Sequence, residues 1–146
     1  MGSLVEVIKD PVKRRAVVED CARLLDAEVA DKKGLTGVAV KGAMKVVKKF
    51  QPNMIEASMD ALLDDFSAQI DPFWQDCQQG GHNPKNFFGS HKVAIANALL
   101  SVTDERAKKS RHRTLVKAYN GLRGKAVQHI GDAMPRFSEL VVKHAS

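Results

Sequence analysis

The residues in this sequence that are able to do chemistry include two cysteines and five histidines. Cys77, His82 and His91 lie close enough along the chain to suggest a thiol–imidazole pair, in which the imidazole would activate the thiol. Segment 72–91 also holds the single tryptophan and three phenylalanines, which is compatible with a small pocket. The simpler interpretation is an apolar cluster that packs this connection onto the core, because no third orienting group is evident. The candidate pocket residues are Trp74, His82 and Phe87.

Motifs for metal and phosphate chemistry are missing from the sequence. No histidine has a glutamate three residues before it, as di-metal carboxylate bundles require, and the pattern of a calcium-binding loop is absent. Gly80-Gly81 is too short for a phosphate-binding loop and lacks the expected lysine. The sequence therefore predicts no catalytic residue, no metal site and no cofactor, and it favours a function other than catalysis.

Positive charge is concentrated in two segments. Residues 34–50 carry four lysines and no acidic residue, and residues 104–125 carry eight basic residues against two acidic ones. At helical spacing the basic side chains of each segment would share one face. Such faces bind a phosphate backbone or acidic lipid head groups, or they are ordinary solvated surfaces. The candidate polyanion-binding residues are Lys41, Lys45, Lys48, Lys49, Arg106, Lys109, Arg111, Arg113 and Lys117.

An acidic segment lies between the two basic ones. Residues 53–79 contain six acidic residues and neither lysine nor arginine. Glu56, Asp60 and Asp64 follow one another at intervals of four, so they repel each other along one helical face. A basic helix of the same fold, a bound cation or solvent would offset this repulsion. The economical interpretation is intramolecular pairing with residues 104–125.

The elements that must position these residues are helices. The chain has 146 residues, 44% of them hydrophobic and only 5% aromatic, so its core must be built mostly from aliphatic side chains. Apolar residues recur at helical spacing throughout, and no segment alternates with a period of two. The sequence predicts an all-α fold, a multi-helix bundle of five or six principal helices with short connecting helices, formed by residues 1–146 as a single domain.

Capping residues and prolines predict the helix boundaries in the first half of the chain. Ser3 and Glu6 form a capping box before a short helix. Asp10-Pro11 is typical of a helix start, and Gly34 of the end of that helix. Thr36 is the predicted cap of a helix over 36–50, which must stop before Pro52.

The same signals continue along the second half. Residues 53–56 form a second capping box, and Asp71-Pro72 predicts a separate short helix up to Gln79. Asn83-Pro84 predicts the start of a short turn that holds Phe87 and Phe88, and a helix from about residue 90 would turn Val93 inward. Thr103 or Asp104 is the predicted cap of the helix that carries the second basic segment, and Pro135 predicts a kink or a break.

Six segments of the chain form a familiar pattern: DAEVADKKGLTG (26–37), KVVKKFQP (45–52), DALLDDF (60–66), DPFW (71–74), ALLSVTDERAKKS (98–110) and AYNGLRGKA (118–126). Together they resemble a family of uncharacterised actinobacterial all-helical proteins, a domain of unknown function. The resemblance spans most of the chain but includes no chemical motif. It implies a bacterial cytoplasmic setting, and it implies no activity and no functional residue.

The function that the sequence favours is that of a non-catalytic protein-interaction or scaffold module. Its partner would be an unknown protein or a second copy of the chain. The alternative is binding of nucleic acid or another polyanion through the basic faces over 36–50 and 104–125. The sequence contains no recognisable signal peptide and no apolar run of membrane-spanning length, and Cys21 and Cys77 are expected to be reduced, which predicts a cytoplasmic location.

Overall fold

The computed structural model describes residues 3–50 and 53–145, and helix is the regular secondary structure of both parts. Six helices have eleven or more residues and three are shorter, which confirms the predicted all-α bundle. The short ones are α1 (Leu4–Val7), α5 (Pro84–Ser90) and α8 (Ala126–Asp132). The principal ones are α2 (Pro11–Asp31), α3 (Gly34–Phe50), α4 (Met54–Gln79), α6 (Lys92–Lys109), α7 (Arg113–Arg123) and α9 (Met134–Ala145).

Two predicted helix starts, and the predicted turn at Asn83, are capped by side chains. Ser3 Oγ accepts a hydrogen bond from the backbone N–H of Glu6 at 3.1 Å, and Asp10 Oδ1 accepts one from Val12 at 2.9 Å. Asn83 caps α5 in the same way. The side chain of Asn53 makes no capping hydrogen bond to α4, so the predicted capping box over 53–56 is wrong.

The helix boundaries at the corner between α2 and α3 differ from the prediction. Gly34 has a φ of 69°, which favours glycine, and it begins α3 instead of following the end of α2. Thr36 therefore lies inside α3 and is not its cap. A β-carbon on Gly37 would come within 2.7 Å of the carbonyl oxygen of Lys32, so only glycine permits this approach. Pro52, the predicted stop signal for α3, lies outside the described residues.

Helix α4 is continuous across Pro72, so the predicted separate helix from Asp71 is wrong. Ile70, Trp74 and Cys77 form one buried stripe on both sides of the proline, and burying that stripe outweighs the hydrogen bond that proline removes. The carboxylate of Asp71 does not cap a new helix. It accepts a hydrogen bond from the backbone N–H of Leu4 at 2.9 Å and thereby fixes α1 against α4.

The second basic segment is divided between two helices, contrary to the prediction of one helix that starts at Thr103 or Asp104. Helix α6 runs through both residues to Lys109, and α7 begins at Arg113. Thr103 and Asp104 point their polar groups at Tyr119 and Arg123 of α7, so they connect the two helices and do not cap one. The proposed line of basic residues from Arg106 to Lys117 therefore does not lie along one helix.

The end of the chain forms two helices, as the position of Pro135 predicts. Helix α8 ends at Asp132, and Pro135 is the second residue of α9. Proline is compatible with the first turn of a helix because the N–H that it lacks would have no partner there. Val93, which was expected to point inward, is instead 54% exposed near the start of α6.

The densest part of the core lies where α4, α5, α6 and α9 meet. Trp74, Phe88, Ile95 and Met134 are almost completely buried there, and further aromatic side chains pack around them. A smaller buried cluster connects α2 and α4 through Val17, Val18 and Leu63, together with Ile8. In the described part of the chain, no helix is both long enough and apolar enough to span a membrane.

Candidate functional site

The lysines of α3 lie on its outer side. Lys41, Lys45 and Lys49 are exposed and make no ion pair with a described residue. Lys48 differs, because its Nζ lies 3.2 Å from the carboxylate of Asp26 on α2. Three of the four predicted lysines therefore present uncompensated charge.

The second predicted basic segment lies on α6, on α7 and on the connection between them. Helix α7 packs against α3, so the predicted basic segments are adjacent in space. Lys109, Arg111, Arg113 and Lys117 are all exposed and, like the three lysines of α3, make no ion pair with a described residue. Arg106 instead donates a hydrogen bond to the backbone carbonyl of Ala61 at 3.0 Å.

The acidic face of α4 is compensated by a residue that the sequence did not indicate. Arg14 of α2 lies 2.8 Å from Asp60 and 2.9 Å from Asp64, and these contacts raise the pKa of its guanidinium. The predicted pairing with residues 104–125 is wrong, since Arg106 reaches only a backbone carbonyl on α4. The basic residues of α7 are thus left available.

The aromatic segment 72–91 is packed as a cluster. Trp74 is 3% exposed and contacts Phe88, whereas His82 is exposed and lies against Phe87. The Sγ of Cys77 lies 3.5 Å from the backbone carbonyl of His82, and its hydrogen bond goes to that oxygen. Burial raises the pKa of Cys77, which disfavours the nucleophilic thiolate.

A large apolar cavity, partly open to solvent, lies between the helices of the bundle. Its volume is about 520 Å³, and every helix except α5 contributes side chains to its wall. Trp74, His82 and Phe87, the predicted pocket residues, do not line it. The wall is mostly aliphatic, and many of its side chains are only half-buried because they face the cavity. Examples are Leu25, Met44, Leu99, Leu122 and Leu140.

The surface area of the protein agrees with this open interior. The accessible area is 8762 Å², whereas a compact protein of 16.0 kDa is expected to expose about 7,400 Å². The cavity volume falls within the range of about 300–1,000 Å³ that is usual for ligand pockets. The cavity is also several times larger than an apolar cavity of roughly 150 Å³, which is enough to bind benzene.

One part of the cavity wall is polar. The side chains of Glu28 and Lys32 are 13% and 14% exposed, and they pair with Arg136 at 3.3 Å and Asp132 at 3.1 Å. Nearby, the Nδ1 atom of His129 is buried and has no hydrogen-bond partner among the residues that the structure describes. Burial, and to a lesser extent the charge of Lys32, lowers the pKa of His129, so its ring is neutral near pH 7. A polar ligand atom at this position would satisfy the ring nitrogen.

A second polar group connects α6 and α7 at the cavity wall. Arg123 donates to both oxygens of Asp104, at 2.9 and 3.1 Å, and Tyr119 donates to the same carboxylate. The guanidinium, and then the phenol, lower the pKa of Asp104, while burial raises that of Tyr119. The phenol therefore stays protonated and serves as a link between helices.

Sequence reasoning missed the cavity, although its cause is visible in the composition. The chain has eight aromatic residues, and five of them pack in the dense cluster around Phe88. The cavity wall is mostly leucine, valine, isoleucine and methionine, which do not fill the space between the eight helices that surround it. The low aromatic content was the available signal.

Comparison with known proteins gives a family and no activity. No curated protein and no solved structure matches the chain. In the described part of the chain, no group of three or more metal-ligating side chains lies together. The sequence profile of DUF6918, a family of unknown function, matches residues 4–145 and confirms the resemblance to an uncharacterised helical family. The chain belongs to the DUF6918 family.

Proposed function

We propose that this protein binds an apolar small molecule, with a hydrocarbon chain or fused-ring body, in the cavity of the helix bundle. The observation that carries the proposal is the cavity itself, whose volume is about 520 Å³ and whose wall is mostly aliphatic. An aliphatic wall offers water few hydrogen-bond partners, so apolar ligands displace water from such a cavity favourably, and the few polar groups of the wall would orient the ligand.

Burial of apolar surface favours the same function. The cavity is partly open, so part of its apolar wall contacts water when no ligand is bound. Covering apolar surface is favourable by about 25 cal/mol per Å². A molecule that fills the cavity therefore stabilises the fold, and this favours a ligand-binding role for the bundle.

The test uses a neutral fluorescent probe, N-phenyl-1-naphthylamine, whose emission rises in apolar surroundings. We expect saturable binding and a rise in the melting temperature of several degrees, since a ligand at a hundred times its Kd stabilises by about 2.7 kcal/mol. Displacement of the probe by long-chain alcohols and acids would define the ligand class. If emission does not saturate and the melting temperature does not move, the proposal is wrong.

A second candidate function is binding of a polyanion through the basic faces of α3 and α7, and one observation favours it. The two helices pack against each other, and Lys41, Lys45, Lys49, Arg113 and Lys117 are exposed without an ion pair to a described residue. If all five contact phosphates of duplex DNA, the logarithm of the binding constant falls with the logarithm of salt concentration with a slope of about −4.5. Lys45→Glu/Lys49→Glu should abolish such binding.

The prediction of a protein-interaction or scaffold module, with an unknown protein or a second copy as its partner, stays a prediction. So do the bacterial origin and the cytoplasmic location. The cavity adds to that earlier interpretation a specific place for a ligand, and neither function requires a catalytic group.

A further inference from the structure

The outer side of α3 exposes apolar side chains next to its lysines. Leu35 is 91% exposed, Val38 is 71% exposed and Val46 is 39% exposed. The opposite side of the same helix already packs inward through Val40 and Met44. Helix α3 is therefore apolar on two sides. Packing within the bundle accounts for the apolar residues of the inner side but not for those of the outer side.

The exposed apolar residues and the unpaired lysines share one face. At 100° per residue, Val38, Lys45 and Lys49 fall within a narrow arc, and Leu35 and Val46 lie beside it. Segment 34–50 contains no acidic residue, and the neighbouring α7 adds the exposed cations Arg113 and Lys117. A partner for this surface must supply both negative charge and apolar contact.

We propose that this outer face of α3, extended by the exposed cations of α7, docks on an anionic lipid bilayer. The inference rests on the second candidate function and names the polyanion. Lysines attract acidic head groups, while Leu35 and Val38 enter the boundary between head groups and acyl chains. A nucleic acid would satisfy the lysines but would offer nothing to the exposed leucine and valine.

The position of α3 links this surface to the cavity. Val40 and Met44 line the cavity from the inner side of the helix, so one helix separates the cavity from the proposed bilayer contact. A ligand that leaves a membrane for the cavity would meet α3 first. The docking itself does not require the cavity to be filled, and it is tested separately.

The experiment measures sedimentation of the full chain with vesicles. Vesicles of phosphatidylcholine mixed with phosphatidylglycerol are compared with vesicles of phosphatidylcholine alone, and duplex DNA is the alternative polyanion. Two variants probe the face: Lys45→Glu/Lys49→Glu removes the charge, and Leu35→Ser/Val38→Ser removes the apolar contact. The matched controls are Lys13→Glu/Lys85→Glu and Val12→Ser/Val93→Ser, which change exposed residues elsewhere.

We expect binding to the anionic vesicles only, at least a tenfold loss in each face variant, and unchanged binding in both controls. Equal binding to both kinds of vesicle, or to neither, overturns the inference. DNA binding that survives Leu35→Ser/Val38→Ser while vesicles are not bound identifies a nucleic-acid surface instead, and it leaves the second candidate function standing. Binding to neither polyanion removes both. A dimer that the Leu35→Ser/Val38→Ser change dissociates, without vesicle binding, assigns the face to a second copy.

Discussion

Single charged side chains in this protein hold helices together across the bundle. Asp20 of α2 is the clearest case, because its carboxylate lies 2.7 Å from Lys143 and 2.7 Å from His144 of α9. Its side chain is only 14% exposed, so these contacts are less screened than surface pairs. Lysine, and secondarily the histidine, lower the pKa of Asp20 to about 2.

We predict that Asp20→Asn lowers the unfolding free energy at pH 7 by about 2 kcal/mol, which is the worth of the pKa shift. Because the pKa is lowered on folding, this stability is present above pH 4 and is lost as the pH falls toward 2. Urea titrations of wild type and variant should therefore converge at low pH. Glu19→Gln, which alters an exposed pair with Arg15, is the control and should cost far less. A pH-independent difference would contradict the assignment.

The helices show where sequence signals are decisive and where packing overrides them. Side-chain caps at Ser3, Asp10 and Asn83 were predictable because each acts within a few residues. The boundaries at Asp71 and Asp104 were mispredicted because both carboxylates bind partners distant in sequence, at Leu4 and Arg123. A residue that suits a cap is equally suited to a tertiary contact, and local sequence does not distinguish the two.

Pro72 gives a test of this competition within α4. It supplies no N–H to the carbonyl of Ala68, and proline inside a helix costs about 3 kcal/mol. Because proline also restricts the unfolded chain, it stabilises the folded state by about 0.4–1 kcal/mol, which offsets part of that cost. We therefore expect Pro72→Ala to raise the unfolding free energy by about 2 kcal/mol in urea denaturation. Pro84→Ala, at the first position of α5, should bring no gain, and an equal gain at both sites would contradict the explanation.

The whole molecule combines a buried aromatic cluster with a large cavity, and the two share wall residues such as Ile70, Met134 and Val141. The helical class and the number of principal helices followed from apolar spacing, since every principal helix except α7 buries residues of a stripe that the sequence displays. The basic residues were also visible in sequence, but their adjacency depends on the packing of α3 against α7, which no local pattern encodes. The cavity escaped prediction for a related reason, because it belongs to the gaps between eight helices and to no segment alone.

The same substitution, made once at the cavity wall and once in the buried core, distinguishes these two environments. Ala126 lines the cavity, so Ala126→Leu adds apolar volume where there is room, and burial of the added carbons should raise the unfolding free energy by about 2 kcal/mol. The same change at Ala96, which is 0% exposed, should overpack the core and lower the unfolding free energy by about 1–3 kcal/mol. Ala126→Leu should also weaken binding of N-phenyl-1-naphthylamine, because it occupies ligand space. Destabilisation by Ala126→Leu as large as that by Ala96→Leu would mean that the interior at α8 is already filled by the protein's own side chains.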